Sequence, residues 1–226
     1  MNRQLTIYIR TVASSSDADA WKLCLEYNHK WATSTAATDP NFFPTLAKGQ
    51  SPKILWLGCS DARKPETTIL GLKPGDVFTH RNIANIINPT DLSLLSVVEF
   101  AVKHIQVQHV VVCGHTSCGG VNATLNNANL GVLDLWLQPM RALREKHADE
   151  LAQLDGLDKS TFMAKLNVTQ GVNNLKRIPT VIDAMRERGV QVHGVIYDLA
   201  TGLLDEVPTD EDEESSFKRI STFETK

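Results

Sequence analysis

Ile54-Leu55-Trp56-Leu57-Gly58-Cys59-Ser60-Asp61-Ala62-Arg63 passes without a break from a short apolar run into a thiol, a carboxylate and a guanidinium. Apolar runs of this length bounded by loop residues read as strands buried on both faces, which predicts a strand over residues 53–58. A second stretch has the same plan: Val110-Val111-Val112-Cys113-Gly114 leads directly into His115-Thr116-Ser117-Cys118-Gly119-Gly120. In an open α/β sheet, ligands bind outside the carboxyl ends of strands. Both motifs therefore stand where such a sheet places its chemistry. The separation, 115 − 59 = 56 residues, is too long for a zinc finger and suits neighbouring strand ends. Zinc accepts thiolate and imidazole, and a catalytic zinc site has three protein ligands and an open position. Cys59, His115 and Cys118 supply such a set. Asp61 and Arg63 are left as charged groups beside the metal, and Asp61 is also a candidate fourth donor that would close the site.

Working outward, residues 17–36 read as a helix with Trp21, Cys24, Leu25, Asn28 and Trp31 near one face. The pattern predicts a strand over 76–81 after the Lys73-Pro74-Gly75 turn, a helix over 91–104, a strand over 109–113 and a helix starting at Gly119. Residues 133–147 and 159–188 read as helical with a break near Pro179, residues 191–198 as a fourth strand, and 203–207 as an antiparallel edge strand. Alternating strands and helices imply a single α/β domain, residues 1–226, with a central, mainly parallel sheet flanked by helices. Residues 1–36 form an N-terminal helical arm and 209–226 a C-terminal tail, acidic at its start, solvated, with Phe217 and Ile220 as docking residues.

A hydrophobic fraction of 42% and a charged fraction of 22% are ordinary for a globular protein, and a formal net charge of −3 gives no reason to expect a nucleic-acid partner. No apolar run approaches the roughly 18 residues that cross a bilayer, so no membrane partner is expected. Four cysteines in 226 residues do not make a disulfide scaffold. Cys24 and Cys113 are expected to be small buried hydrophobes, and this usage suits a reducing compartment, the cytoplasm. Residues 1–16 hold Arg3, Arg10 and three serines with no acid, a weak likeness to a mitochondrial transit segment, so the mitochondrion is the alternative.

Taken in order, the motifs resemble the β-class carbonic anhydrases of plant-type and fungal-like kind, from about Gln50 to Gly120 and more weakly beyond. The signature C-[ST]-D-[SA]-R stands as Cys59-Ser60-Asp61-Ala62-Arg63, and H-x-x-C-G-G as His115 to Gly120. Between them, Pro74-Gly75-Asp76-Val77-Phe78 and His80-Arg81-Asn82-Ile83-Ala84-Asn85 also read as family sequence. The resemblance implies one Zn2+ per subunit on Cys59, His115 and Cys118, and reversible hydration of carbon dioxide to bicarbonate and a proton by hydroxide attack. It implies that Arg63 holds Asp61 and that Asp61 orients the hydroxide, although in some members this aspartate moves onto the metal at lower pH. Two thiolate ligands make the metal a poorer acid than three histidines would. Gln50 resembles the glutamine that plant-type members direct at substrate from a neighbouring subunit. Phe78, Ile83 and Phe100 match the apolar wall, Phe100 standing where plant enzymes often carry tyrosine. Gly119 matches a backbone N–H donor at a helix start near the bound anion. The family swaps its arms to form dimers and often tetramers, which suits burial of Trp21, Tyr27 and Trp31 against a partner. Two rival readings keep the site: hydrolysis of carbonyl sulfide or carbon disulfide, and a non-catalytic zinc protein closed by Asp61. A thiol-redox protein is disfavoured because the chain has no C-x-x-C.

Overall fold

Alternate residues of the central strands serve two different cores, which is why residues 54–57 and 110–113 read as continuous apolar runs. The computed structural model describes residues 17–126, 129–209, 211 and 213–222; the transit-like segment 1–16 lies outside them. The chain divides into two compact units, Met1–Gln50 and Ser51–Lys226. The first contains α1 (Asp17–Thr38) and α2 (Phe42–Leu46), where Trp31 packs edge-to-face on Phe43 at 5.5 Å between ring centroids. Cys24 is exposed, which corrects its reading as a buried hydrophobe.

The second unit is built on five strands: β1 (Ile54–Cys59), β2 (Val77–Asn82), β3 (His109–His115), β4 (Gln191–Tyr197) and β5 (Leu204–Glu206). Their order is β2-β1-β3-β4-β5. The first four are parallel and β5 is antiparallel to β4. The sheet is thus mainly parallel with an antiparallel edge, as the alternation predicts. Leu55, Leu57, Val110, Val112 and Ile196 enter a large core with the helices, whereas Trp56, Cys113, Val195 and Tyr197 form a smaller cluster on the other face.

The helices of this unit are α3 (Glu66–Leu70), α4 (Leu92–Glu99), α5 (Gly119–Asn126), α6 (Val132–Trp136), α7 (Gln138–Lys146), α8 (Ala148–Ala152), α9 (Gly156–Leu175), α10 (Pro179–Arg188) and α11 (Glu213–Thr222). Asp91 caps α4 by accepting from the N–H groups of Ser93 and Leu94. The helix expected over 91–104 becomes a π-helical turn from Phe100 to Ile105, and the segment expected over 133–147 is two helices, with Pro139 starting the second and His147 ending it. Helix α9 lies against β3 and β4. The approach is close enough that a Cβ on Gly194 would stand 2.7 Å from Val168. The C-terminal segment docks as α11, yet through Arg219 rather than Phe217. Arg219 is buried and donates to the Lys176 carbonyl at 2.8 Å and to Glu211, while Phe217 is 73% exposed. Among the described residues, no helix is long and apolar enough to cross a membrane.

Candidate metal centre

Strand β1 is the point at which the sheet order reverses, with β2 on one side and β3 on the other. The carboxyl ends of β1 and β3 therefore open onto a shared crevice. Cys59 ends β1 and His115 ends β3, the two strands pairing up to Gly58 opposite Cys113. Cys118 follows a tight turn in which Ser117 takes a left-handed conformation (φ 55°) immediately before α5. One donor atom from each of Cys59, His115 and Cys118 lies within 4.8 Å of the others, and all three residues are buried.

The chemistry of this donor set fits a metal ion. The Nδ1–H of His115 donates to the Thr116 carbonyl at 2.9 Å, which fixes the tautomer and leaves the Nε2 lone pair free. That Nε2 is buried and has no hydrogen-bond partner among the described residues. A buried, unpaired imidazole nitrogen facing two thiols is costly unless something binds it; zinc ligands show the same outward tether on their second nitrogen. Of the two thiols, Cys59 gives up its proton more readily than Cys118. The Cys59 thiol is brought down to about 3, chiefly by Cys118 beside it and further by the N–H groups of Asp61 and Ala84, with burial opposing them. Cys118 is pushed up in turn by the Cys59 sulfur and by burial, against the N–H groups of Val121 and Gly120. A metal ion takes the place of such a proton.

Asp61 is aimed into the same crevice, its Oδ2 3.8 Å from His115 Nε2. Arg63 grips this carboxylate from outside: its Nε donates to Oδ1 at 2.9 Å, its Nη2 to Oδ2 at 2.6 Å, and its backbone N–H to Oδ1 at 2.9 Å. The guanidinium hydrogen bonds hold the Asp61 carboxyl well below the usual carboxylate range. The Arg63 side chain is 57% exposed, so the pair adds little stability; what the bidentate geometry supplies is orientation.

The other candidate residues fall in different places. Gly119 begins α5 with open space where a side chain would be, whereas a Cβ on Gly120 would stand 2.8 Å from the Ala84 Cβ and 3.4 Å from Ile83. Ile83 therefore borders the metal loop and is 43% exposed. Phe78 pairs in register with Leu55, four positions before the Asn82–Cys59 pair, about 13 Å along the strand. There it packs on Phe100 with ring centroids 5.9 Å apart. One chain thus does not bring Phe78 and Phe100 to its own metal residues. Gln50 is the last residue of the N-terminal unit and is exposed.

Two supporting residues escaped the sequence reading. Arg81 on β2 donates to the carbonyls of Cys59 (2.8 Å) and Asp61, bracing the loop from below, and approaches Glu66 at 3.9 Å. Lys64 is fully buried and donates to the Cys113 carbonyl (2.9 Å) and sulfur (3.2 Å), tying the far end of the loop to β3. Across the crevice, Thr116 donates to Asp198 at 3.2 Å and accepts from the Leu199 N–H, anchoring the His115 loop to the end of β4.

Comparison with known proteins points in one direction. A family model described as carbonic anhydrase matches residues 54–204. A carbonic anhydrase of Emericella nidulans is 42% identical over 187 residues, 82% of each chain. The crystal structure of the β-carbonic anhydrase CafA of Aspergillus fumigatus superposes with a TM-score of 0.89 at 52% identity, covering 91% of this chain and 99% of that one. One of two tetrameric β-carbonic anhydrases from Sordaria macrospora superposes with a TM-score of 0.83 at 47% identity, covering 84% and 98%.

Proposed function

Because the chain belongs to the carbonic anhydrase family, and is a carbonate dehydratase of its β class, we propose that Cys59, His115 and Cys118 hold one Zn2+ per subunit and that carbon dioxide is hydrated beside it. The observation that carries this reading is the buried, unpaired His115 Nε2 facing two thiols with the Asp61 carboxylate 3.8 Å away. Bound there, zinc supplies Lewis acidity that makes a water molecule nucleophilic near neutral pH.

The residues of the chain do the rest. Asp61, ionised and acceptor-only, takes a hydrogen bond from the nucleophile and points its lone pair at substrate. Arg63 keeps Asp61 turned toward that task and away from the metal. The Arg63 grip supports an open site over the rival in which Asp61 is a permanent fourth ligand. The N–H of Gly119, at the start of α5, faces the product anion. Ile83 supplies an apolar wall for a linear, uncharged substrate. Phe78, four register positions from Cys59 within its own chain, and Phe100, packed on it, serve the site of a second copy, as does Gln50. That arrangement calls for a homodimer, or a tetramer of two such dimers. Carbon dioxide and bicarbonate are the ligands; the compartment we assign is the cytoplasm, with the mitochondrion as the alternative.

The test is stopped-flow hydration of carbon dioxide from pH 6.5 to 9 on protein of known zinc content. Activity that rises with pH and vanishes with the metal in Cys59→Ser is expected. Zinc-loaded protein inactive over the whole range would overturn the reading and direct the assay to carbonyl sulfide.

A further inference from the structure

At the other end of the sheet from the metal centre, two histidines meet. His109 begins β3, and His193 lies on β4 opposite Val111, so the two side chains leave the same sheet face one pleat apart. Their rings come together with His109 Nδ1 3.1 Å from His193 Nε2 and centroids 5.3 Å apart. Two zinc–nitrogen bonds of about 2.0–2.1 Å at a tetrahedral angle separate their nitrogens by about 3.3–3.4 Å. The existing spacing needs only a few tenths of an ångström to span a metal ion, and the hydrogen-bonded backbones of two central strands hold it.

Three further features suit the same ligand. Both rings are half-buried and reachable from solvent. Burial, and then His109, hold the proton affinity of His193 down, and the neutral ring is the form that binds metal. Glu206, on β5, lies near enough for its charge to act on His193 in the opposite sense and lines one pocket with it. From His109 to His115 is six residues along β3, about 20 Å, so the pair is separate from the Cys59 group.

We propose that His109 and His193 form a second metal-binding site, for a divalent transition ion that favours imidazole, with zinc as the ion to test. It stands whether or not the catalytic reading does. Equilibrium dialysis of the native chain against zinc chloride, with metal counted per chain, is expected to give two equivalents. His109→Gln and His193→Gln should each return the count to one, with hydration of carbon dioxide unchanged. Glu206→Gln should keep the second equivalent at about tenfold lower affinity. Anomalous scattering at the zinc edge should place the second ion between the two rings, a readout that does not depend on any variant folding. Absence of zinc between the two rings in the native chain, or a zinc count that neither histidine variant lowers, would overturn the site and leave the pair as an N–H···N hydrogen bond.

Discussion

At the scale of single residues, the proposed centre separates groups that bind from groups that aim. Arg63 belongs to the second class. Arg63→Gln is expected to leave zinc content unchanged while kcat falls by about a hundredfold, the penalty of a misdirected catalytic group; metal analysis alongside single-turnover rates distinguishes this from lost folding. A second residue prediction concerns acid. Burial lowers the His80 proton affinity, with Asp91 opposing it in part. The unfolded chain takes up that proton near pH 6.5, the folded chain only at lower pH. Its contribution to stability is therefore fully present above about pH 6.5 and is lost as the pH falls below that value. His80→Gln should flatten the dependence of urea-unfolding free energy on pH between 7 and 5, and an unchanged slope would contradict it. The donors and the Asp61–Arg63 pair were legible in the sequence because their residue types carry the chemistry. Arg81 and Lys64 were not: they grip the carbonyls of Cys59, Asp61 and Cys113, and a backbone acceptor leaves no trace in residue identity.

At the scale of elements, the strands were legible to within one or two residues: burial on both faces forces an unbroken apolar run in β1 and at the centre of β3, whereas β2, neither wholly apolar nor buried, was legible from the Lys73-Pro74-Gly75 turn before it. The helices were less so. Leu92, Leu95, Val98 and Val102 keep the same apolar spacing whether the last turn is α or π, so the passage into the π turn at Phe100 is invisible to periodicity. The start of α5 carries a sharper consequence. Gly120 faces Ala84, itself held in a left-handed conformation (φ 62°) with its N–H on the Cys59 sulfur. Gly120→Ala is expected to cost about 1–3 kcal/mol through overpacking and to loosen metal binding. Gly119→Ala, which meets open space, should stay within about 0.5 kcal/mol of the parent. Urea denaturation of both variants checks the contrast.

At the scale of the whole molecule, α1 carries Trp21, Leu25 and Trp31 at 69%, 53% and 46% exposure, an apolar stripe of the kind that marks an interaction surface. Sedimentation equilibrium at micromolar concentration should show a dimer or larger, and Trp21→Asp with Leu25→Asp should shift the population toward monomer. A native chain that sediments only as monomer would refute the assembly. The proposed second copy was legible in the sequence through the family likeness, in the arm residues Trp21, Tyr27 and Trp31 and in Gln50; the register of Phe78 adds a physical reason, because it lies four positions from the Asn82–Cys59 pair. The parallel pairing of β1 with β3 also sets a clock. Parallel neighbours require a long crossover, so the two thiols are 118 − 59 = 59 residues apart in the chain. A ribosome adding about 5–20 residues per second finishes Cys118 about 3–12 s after Cys59. Until then the nascent polypeptide lacks the full donor set, and on the proposed reading ion capture waits for the third strand. On the proposed reading, metal occupancy is an event that follows β3 in biogenesis, because only then are all three donors in the chain.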